Sequence, residues 1–185
     1  MNRLRRLGQK ASERREYASK EEVASVFESE QAVLQRLALL LTADSETAKR
    51  CLIRTFRECI ASSSVSKQWV LSWTRRILIH NAISLVMGLG GQPFVNANVD
   101  LDNGLVAFSP EDSPGPTSLS KSILDLPEFD RFVFVICVLE GYSMHDCALL
   151  LGKSPRDISE ARQRVRNQVG QINELRDISQ CFAMR

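Results

Sequence analysis

Residues 126–169 read LPEFDRFVFVICVLEGYSMHDCALLLGKSPRDISEARQRVRNQV, and this stretch decides the fold of the chain. Two of its glycines, Gly141 and Gly152, each follow a run of apolar residues at helical spacing. Helices commonly end at such positions, because glycine readily adopts the left-handed conformation that closes the last turn. The stretch therefore predicts three helices separated by two short turns.

Capping residues mark the starts of the second and third of these helices. Ser143 and Ser154 are suited to the N-cap position, and each is followed three residues later by an aspartate, Asp146 and Asp157. This is a variant of the capping box. Pro155 occupies the first helical position, where its missing N–H has no helical partner to lose. A helix, a tight turn and a second helix therefore follow one another, as in a helix-turn-helix unit.

The helix after Ser154 has two faces of different character when its residues are placed about 100° apart. One face is apolar and consists of Ile158, Ala161, Val165, Val169 and Ile172. The opposite face is polar and consists of Arg156, Ser159, Glu160, Gln163 and Asn167, flanked by Arg164 and Arg166. Such side chains can hydrogen-bond to base edges and phosphates in a major groove. A solvated surface helix would also carry mixed charges, but the preceding capped helix and turn favour DNA binding.

The composition is ordinary for a globular chain, with 185 residues, of which 44% are hydrophobic and 25% charged. This length allows one large domain or two small ones. The formal net charge is only +2, so DNA binding would rest on local clusters of cations. No run approaches the roughly 18 apolar residues of a membrane span, and the start MNRLRRLGQK lacks the apolar segment of a signal peptide. We therefore expect a cytoplasmic protein without a membrane span.

The cysteines and histidines do not suggest a metal site or an active site. The five cysteines are Cys51, Cys59, Cys137, Cys147 and Cys181. They form no C-x-x-C pair and lie mostly in apolar helical patterns, which favours buried free thiols in a reducing compartment over disulfides. His80 and His145 lack companions at ligand spacing. Since no catalytic motif is present either, we expect no enzyme activity and no cofactor.

Residues 21–88 predict a small bundle of three helices joined by short loops. The first helix would carry apolar residues at helical spacing over residues 23–41. The second would cover about 46–61 and the third about 67–87. The stretch TADSE breaks the chain before the second helix, and the serine-rich ASSSVSKQ forms the loop before the third.

A change of composition follows this bundle at residues 89–120, which are rich in Gly, Pro, Ser, Asn and Asp. Their charged residues are all acidic: Asp100, Asp102, Glu111 and Asp112. This composition predicts a flexible linker. We therefore expect an all-α chain of two small helical domains, 21–88 and 121–176, with a basic arm at 1–20 and a tail at 177–185. If the two domains packed together, a DNA-binding face would be hidden.

A resemblance to a known family extends over both halves. In the first half, RLALLLTADSETAKRCLIRTF matches the family pattern at Thr42, Asp44, Glu46, Ala48, Thr55 and Phe56, and WTRRILIHNAI matches at Trp73, Arg76 and Asn81. In the second half, the matching residues are Leu126, Pro127, Arg131, Phe134, Gly141, Ser143, Ala148, Leu151, Gly152, Ser154, Ile158, Arg164 and Arg166. The chain thus resembles the bacterial extracytoplasmic-function sigma factors of the sigma-70 family, in their regions 2 and 4.

The resemblance implies a transcription initiation factor that recruits RNA polymerase to specific promoters. Region 4 of the family reads the upstream promoter element, and the helix after Ser154 would do so here. Region 2 binds core RNA polymerase, and the corresponding positions are Thr47, Arg50, Ile53 and Arg54. Region 2 also captures flipped bases as promoter DNA melts. The corresponding loop and helix start contain Ser62, Ser63, Ser64, Lys67, Trp69 and Trp73. The alternative for both tryptophans is a place in the core.

The chain departs from the family pattern where polymerase would bind. Arg50 and Arg54 are cations at positions where the family usually carries acidic residues, and charge reversal at an interface brings like charges together. Ser84 replaces an aspartate, and Ala161 replaces a frequent arginine. One alternative is therefore a diverged sigma-like interaction module that has lost polymerase binding and binds an anti-sigma factor or another regulator. Another is a helix-turn-helix regulator, which would be a homodimer on a two-fold operator.

Overall fold

The structure is a computed structural model that describes residues 16–62, 65–88 and 118–169. Over these ranges the chain is all-α, with eight α-helices and no β-strand. The helices are α1 Lys20–Ser29, α2 Gln31–Thr42, α3 Ser45–Ala61, α4 Val70–Met87, α5 Ser118–Leu124, α6 Glu128–Phe134, α7 Met144–Leu151 and α8 Pro155–Val169. A 3-10 turn, Lys67–Trp69, precedes α4, and a π-helical turn, Val135–Leu139, continues α6. None of the described helices has the length and apolar character that crossing a membrane requires.

Several predicted segments lie outside these ranges. They are the arm up to residue 15, residues 89–117 of the linker, and everything after residue 169, including Ile172 and the tail. The end of the predicted linker is within the structure and is already helical, because α5 begins at Ser118.

The prediction of one long first helix was wrong, because α1 and α2 are separate helices. Between them Glu30 leaves the helical conformation, with φ −105° and ψ 11°. The sequence has no apolar residue from 28 to 31, so no buried face holds one straight helix across this point. Helix α1 packs against α3, and there the ring of Phe27 contacts that of Phe56 edge to face, with ring centroids 5.0 Å apart.

Helices α2, α3 and α4 pack against one another as the predicted bundle. The break before α3 is also as predicted, since Ala43 ends α2 in the left-handed conformation with φ 57°. The Asp44 side chain then caps α3 by accepting a hydrogen bond from the Thr47 N–H at 2.7 Å. Because both signals lie within a few residues, the sequence was sufficient to locate this boundary.

The C-terminal turns also follow the sequence. Gly141 and Gly152 have φ 71° and 59°, and Ser143 accepts a hydrogen bond from the Asp146 N–H at the start of α7. Helix α6 packs against α8, and α7 packs against both α8 and the π-helical turn. These contacts confirm three helical segments separated by two turns.

The two groups of helices share one hydrophobic core. Helix α2 contacts α3 and α4 and also α5, α6 and the π-helical turn, so residues from both groups form a single apolar cluster. Arg131 on α6 is only 6% exposed, and its Nε donates to the Leu41 carbonyl oxygen at 3.3 Å. A second polar contact between the two groups joins Arg75 of α4 to Glu140 at 3.7 Å. Burial lowers the pKa of the Arg131 guanidinium and raises that of the Glu140 carboxyl.

Candidate nucleic-acid interface

Helix α8 is held by the apolar face that the sequence predicted. Ile158, Ala161 and Val165 are all buried in the shared core, against α6 and α7. A three-residue turn, 152–154, separates α7 from α8. This short turn and this buried face agree with the helix, tight turn and second helix that the sequence predicted.

The start of α8 is fixed by a capping box. The Ser154 hydroxyl accepts from the Asp157 N–H at 3.2 Å, and the Asp157 carboxylate accepts from the Ser154 N–H at 3.1 Å. Hydrogen bonds from the Ser154 hydroxyl and N–H hold the pKa of Asp157 below its ordinary value. The carboxylate therefore stays charged at the positive end of the helix dipole, where negative charge is favourable.

The polar face of α8 is open to solvent. Every residue predicted for DNA contact is exposed: Arg156, Ser159, Glu160, Gln163, Arg164, Arg166 and Asn167. Arg156 pairs along the helix with Glu160 at 2.9 Å, while its side chain remains 86% exposed. Among the described residues the two groups of helices are packed together, yet none of these residues covers this face. The expectation that such packing hides it was therefore wrong.

Arg164 has a second role that the sequence did not indicate. Its Nη2 and Nε donate to the two carboxylate oxygens of Asp130 at 2.6 and 2.9 Å, and Asp130 is only 3% exposed. Such a two-point contact fixes both the position and the plane of the guanidinium. Arg164 therefore ties α8 to α6. Its proposed contact with DNA stays a prediction, and the pair spans 34 positions with no local sequence signal.

The two tryptophans near the start of α4 have different surroundings. Trp69 is 60% exposed, whereas Trp73 is partly buried against a small cluster that includes Val23 and Ile77. Trp73 therefore lies at the edge of the core, whereas a place in the core is wrong for Trp69. Lys67 forms an ion pair with Glu22 of α1. Ser62 is partly buried, and Ser63 and Ser64 lie outside the described residues.

The predicted polymerase-contact residues lie on the outer side of α3. Arg50 is exposed and donates from Nη2 to the Thr47 hydroxyl at 3.2 Å. Ile53 is half-buried, and Arg54 pairs with Glu58 at 3.2 Å. Of the two cations at these positions, Arg50 is therefore the exposed one.

A buried polar cluster lies behind this surface. The Asn81 side-chain amide donates to the Thr55 hydroxyl at 3.1 Å and to the Glu58 carboxylate at 3.2 Å, and all three residues are buried. The Thr55 hydroxyl in turn donates to the Cys51 carbonyl oxygen at 2.8 Å. Thr55 and Asn81 both belong to the matched family pattern, and their contacts here join α3 to α4. They belong to the interior of the bundle rather than to a binding surface.

The described residues contain no group of three or more His, Cys, Asp and Glu side chains placed to hold a metal ion. Comparison of the chain with protein-family models, curated proteins and solved structures found no match in any of the three.

Proposed function

We propose that this chain is a sigma-like transcription initiation factor that recruits RNA polymerase to specific promoters. In this proposal α1–α4 bind polymerase, α6–α8 bind the upstream promoter element, and residues 89–117 link the two units. The observation that carries the proposal is α8 itself, seated by a buried apolar face after a three-residue turn and exposed on its polar face.

The side chains on α8 divide by the chemistry they offer to DNA. Gln163 and Asn167 can pair with base edges at two points, and Arg156 can read guanine in the same way. Arg166 is exposed and suited to a phosphate, which would contribute affinity without sequence preference. Arg164 holds α8 in place through Asp130.

The test is selection of duplex DNA from a random pool by the purified full chain at a fixed salt concentration. Gln163→Ala should weaken binding by about 1–3 kcal/mol at one base pair and relax the preference there. Gln168→Ala is the matched control, because Gln168 is an exposed glutamine of the same helix outside the polar face. The DNA-reading role is rejected if wild type selects no sequence, or if both variants select the wild-type sequence with equal affinity.

A diverged interaction module remains the second candidate, because the outer side of α3 presents Arg50 and no exposed carboxylate beyond Glu46. Co-elution of the purified chain with core RNA polymerase at moderate salt separates the two candidates. Co-elution supports the initiation factor. Its absence, together with polymerase binding gained by Arg50→Asp, supports the diverged module, since the exposed cation would then be what prevents docking.

A further inference from the structure

Helix α3 carries three arginines on its outward side. When residues are placed about 100° apart, Arg50, Arg54 and Arg57 fall within about 60° of one another. Arg50 is exposed, and the other two are half-buried. The opposite side of α3 is buried in the bundle and includes Cys51 and Cys59, two of the buried free cysteines that the sequence predicted. We call Arg50, Arg54 and Arg57 the arginine stripe.

Two arginines of the stripe form no ion pair with a carboxylate of the described residues. Arg50 donates to the Thr47 hydroxyl at 3.2 Å, which is a neutral acceptor. The Nε of Arg57 is shielded from solvent and has no hydrogen-bond partner. A buried donor without an acceptor loses the hydrogen bond that water would provide, which costs free energy. A carboxylate from outside the described chain would supply an acceptor for each guanidinium.

Arg54 is the paired member of the stripe. Its Nε donates to one carboxylate oxygen of Glu58 at 3.2 Å, and the other oxygen accepts from the Asn81 amide at 3.2 Å. Both oxygens of the buried Glu58 therefore have donors within the bundle, and the carboxylate balances the charge of Arg54. The positive charges of the other two arginines remain uncompensated.

Repulsion within the stripe is unfavourable for α3 alone. Like charges three or four positions apart destabilise a helix, and Arg54 has these spacings from Arg57 and Arg50. The exposed carboxylate on this side of α3 is Glu46 in the first turn, where negative charge also complements the helix dipole. Since the described residues do not balance the stripe, a partner of opposite charge would offset this repulsion when it docks.

An apolar side chain beside the stripe narrows the class of partner. Ile53 is half-buried and lies one helical turn from both Arg50 and Arg57. A duplex backbone presents phosphates, but it has no apolar side chain to cover Ile53. An amphipathic protein helix can present carboxylates and apolar side chains on adjacent strips. The surface therefore fits an acidic protein helix better than it fits nucleic acid.

We propose that the arginine stripe and Ile53 form a docking surface for an acidic amphipathic helix of a partner protein. Arg50 and Arg57 are separated by about 10 Å along the axis of α3. Carboxylates at the same spacing on a helix laid alongside α3 would face both guanidiniums, and an apolar side chain between them would cover Ile53. The inference rests on the proposed function only in that α1–α4 bind a protein. It names the chemistry which that protein must present, whether it is polymerase or a regulator.

The test is selection from a displayed library of helical peptides by the purified full chain. The library is first depleted on a variant that combines Arg50→Gln and Arg57→Gln, so the peptides retained afterwards by wild type are those that need the stripe. Glutamine removes the charge while keeping a helix propensity close to that of arginine. We expect the retained peptides to be rich in Asp and Glu at helical spacing. They should bind the depleting variant at least about tenfold more weakly than wild type.

The matched control combines Arg36→Gln on α2 and Arg76→Gln on α4, which are exposed arginines outside the stripe. It should bind the retained peptides as tightly as wild type does, and added salt should weaken both complexes. Circular dichroism establishes that every variant is helical. If the double variant of the stripe does not fold, depletion on Arg50→Gln alone repeats the test, because Arg50 is exposed.

The proposal is overturned if no peptide survives depletion, if the retained peptides have no excess of carboxylates, or if the control variant loses binding equally. It is also overturned if the stripe variant, but not the control, loses affinity for a labelled oligonucleotide, which would assign the stripe to nucleic acid. The peptide readout involves neither promoter DNA nor polymerase. Failure of DNA reading by α8 or of polymerase co-elution would therefore leave this result unaffected.

Discussion

Asp130 is a nearly buried carboxylate whose charge is balanced by an arginine from another helix. Both of its oxygens accept from Arg164, and the Arg164 side chain is half exposed. Water can therefore solvate the guanidinium if the pair is broken, but it cannot reach the carboxylate site as easily. Breaking the pair therefore costs free energy mainly because the Asp130 carboxylate on α6 is left buried without its partner.

We expect Asp130→Asn to lower the free energy of unfolding by about 1–3 kcal/mol, because one charged hydrogen-bond acceptor is lost from a buried position. Urea unfolding followed by circular dichroism measures the change. Glu160→Gln is the control, because it alters an exposed arginine pair within α8 and should leave the urea midpoint nearly unchanged. Equal stabilities of the Asp130 variant and wild type would show that the pair does not hold α8.

The residues that sequence reasoning located were those with partners a few positions away. Ser143, Ser154 and Asp44 were recognisable because their capping bonds span three residues. Arg164 was read as a DNA contact alone because its partner lies 34 positions earlier, and no periodicity connects the two.

At the scale of elements, α8 depends on its first turn as well as on its buried face. The capping box at Ser154 satisfies backbone N–H groups that have no partner within the helix. Since α8 begins only three residues after α7, its start also sets the direction in which it leaves the turn.

Ser154→Ala should lower the free energy of unfolding by about 1 kcal/mol, as expected for loss of an N-cap side chain. Ser159→Ala is the matched control, because it changes a solvent-exposed serine to alanine away from the ends of the same helix. That control should be neutral or slightly stabilising, since alanine favours the helix. A thermal melt of each variant gives the comparison, and an unchanged midpoint for the Ser154 variant would contradict the capping role.

Elements with strong apolar periodicity and nearby caps were predictable, and the break between α1 and α2 was not. The polar residues 28–31 interrupt the apolar pattern, but the backbone N–H of Glu30 still bonds to Val26 and that of Leu34 to Glu30. The helical bonding is thus nearly continuous. The packing of α1 on α3 is a tertiary contact, and no local preference in the sequence indicates it.

At the scale of the whole molecule, α2 joins the two groups of helices into one core. The hydrogen bond from Arg131 to Leu41 spans 90 positions, and nothing near either residue in the sequence indicates it. A reading from composition divides the chain at residues 89–120, because composition changes there, and it carries no information on the contacts between the helices on either side. The sequence could therefore predict most of the helices, but it could not predict how they pack together.

Because the core is shared, a substitution that destabilises one group of helices should also lower the stability of the other. Both tryptophans lie near the start of α4, so fluorescence reports the N-terminal group. Leu151→Ala on α7, which truncates a fully buried side chain, should lower the free energy of unfolding measured by tryptophan fluorescence by about 2–5 kcal/mol. Leu149→Ala on the same helix is the control, because Leu149 is 69% exposed. Two separate transitions, with fluorescence unaffected by Leu151→Ala, would mean that the groups unfold independently.

Because α2 packs against both groups of helices, its contacts form at different times during synthesis of the chain. Helices α2–α4 can pack as soon as residue 88 has left the ribosome, but the partners of the second face of α2 are in α5, α6 and the π-helical turn, which are synthesised later. Until then a nascent chain presents an apolar helix face to solvent. Pausing or premature termination in residues 89–117 would therefore leave a fragment with an exposed apolar surface. We expect chaperones to bind that fragment rather than the complete chain.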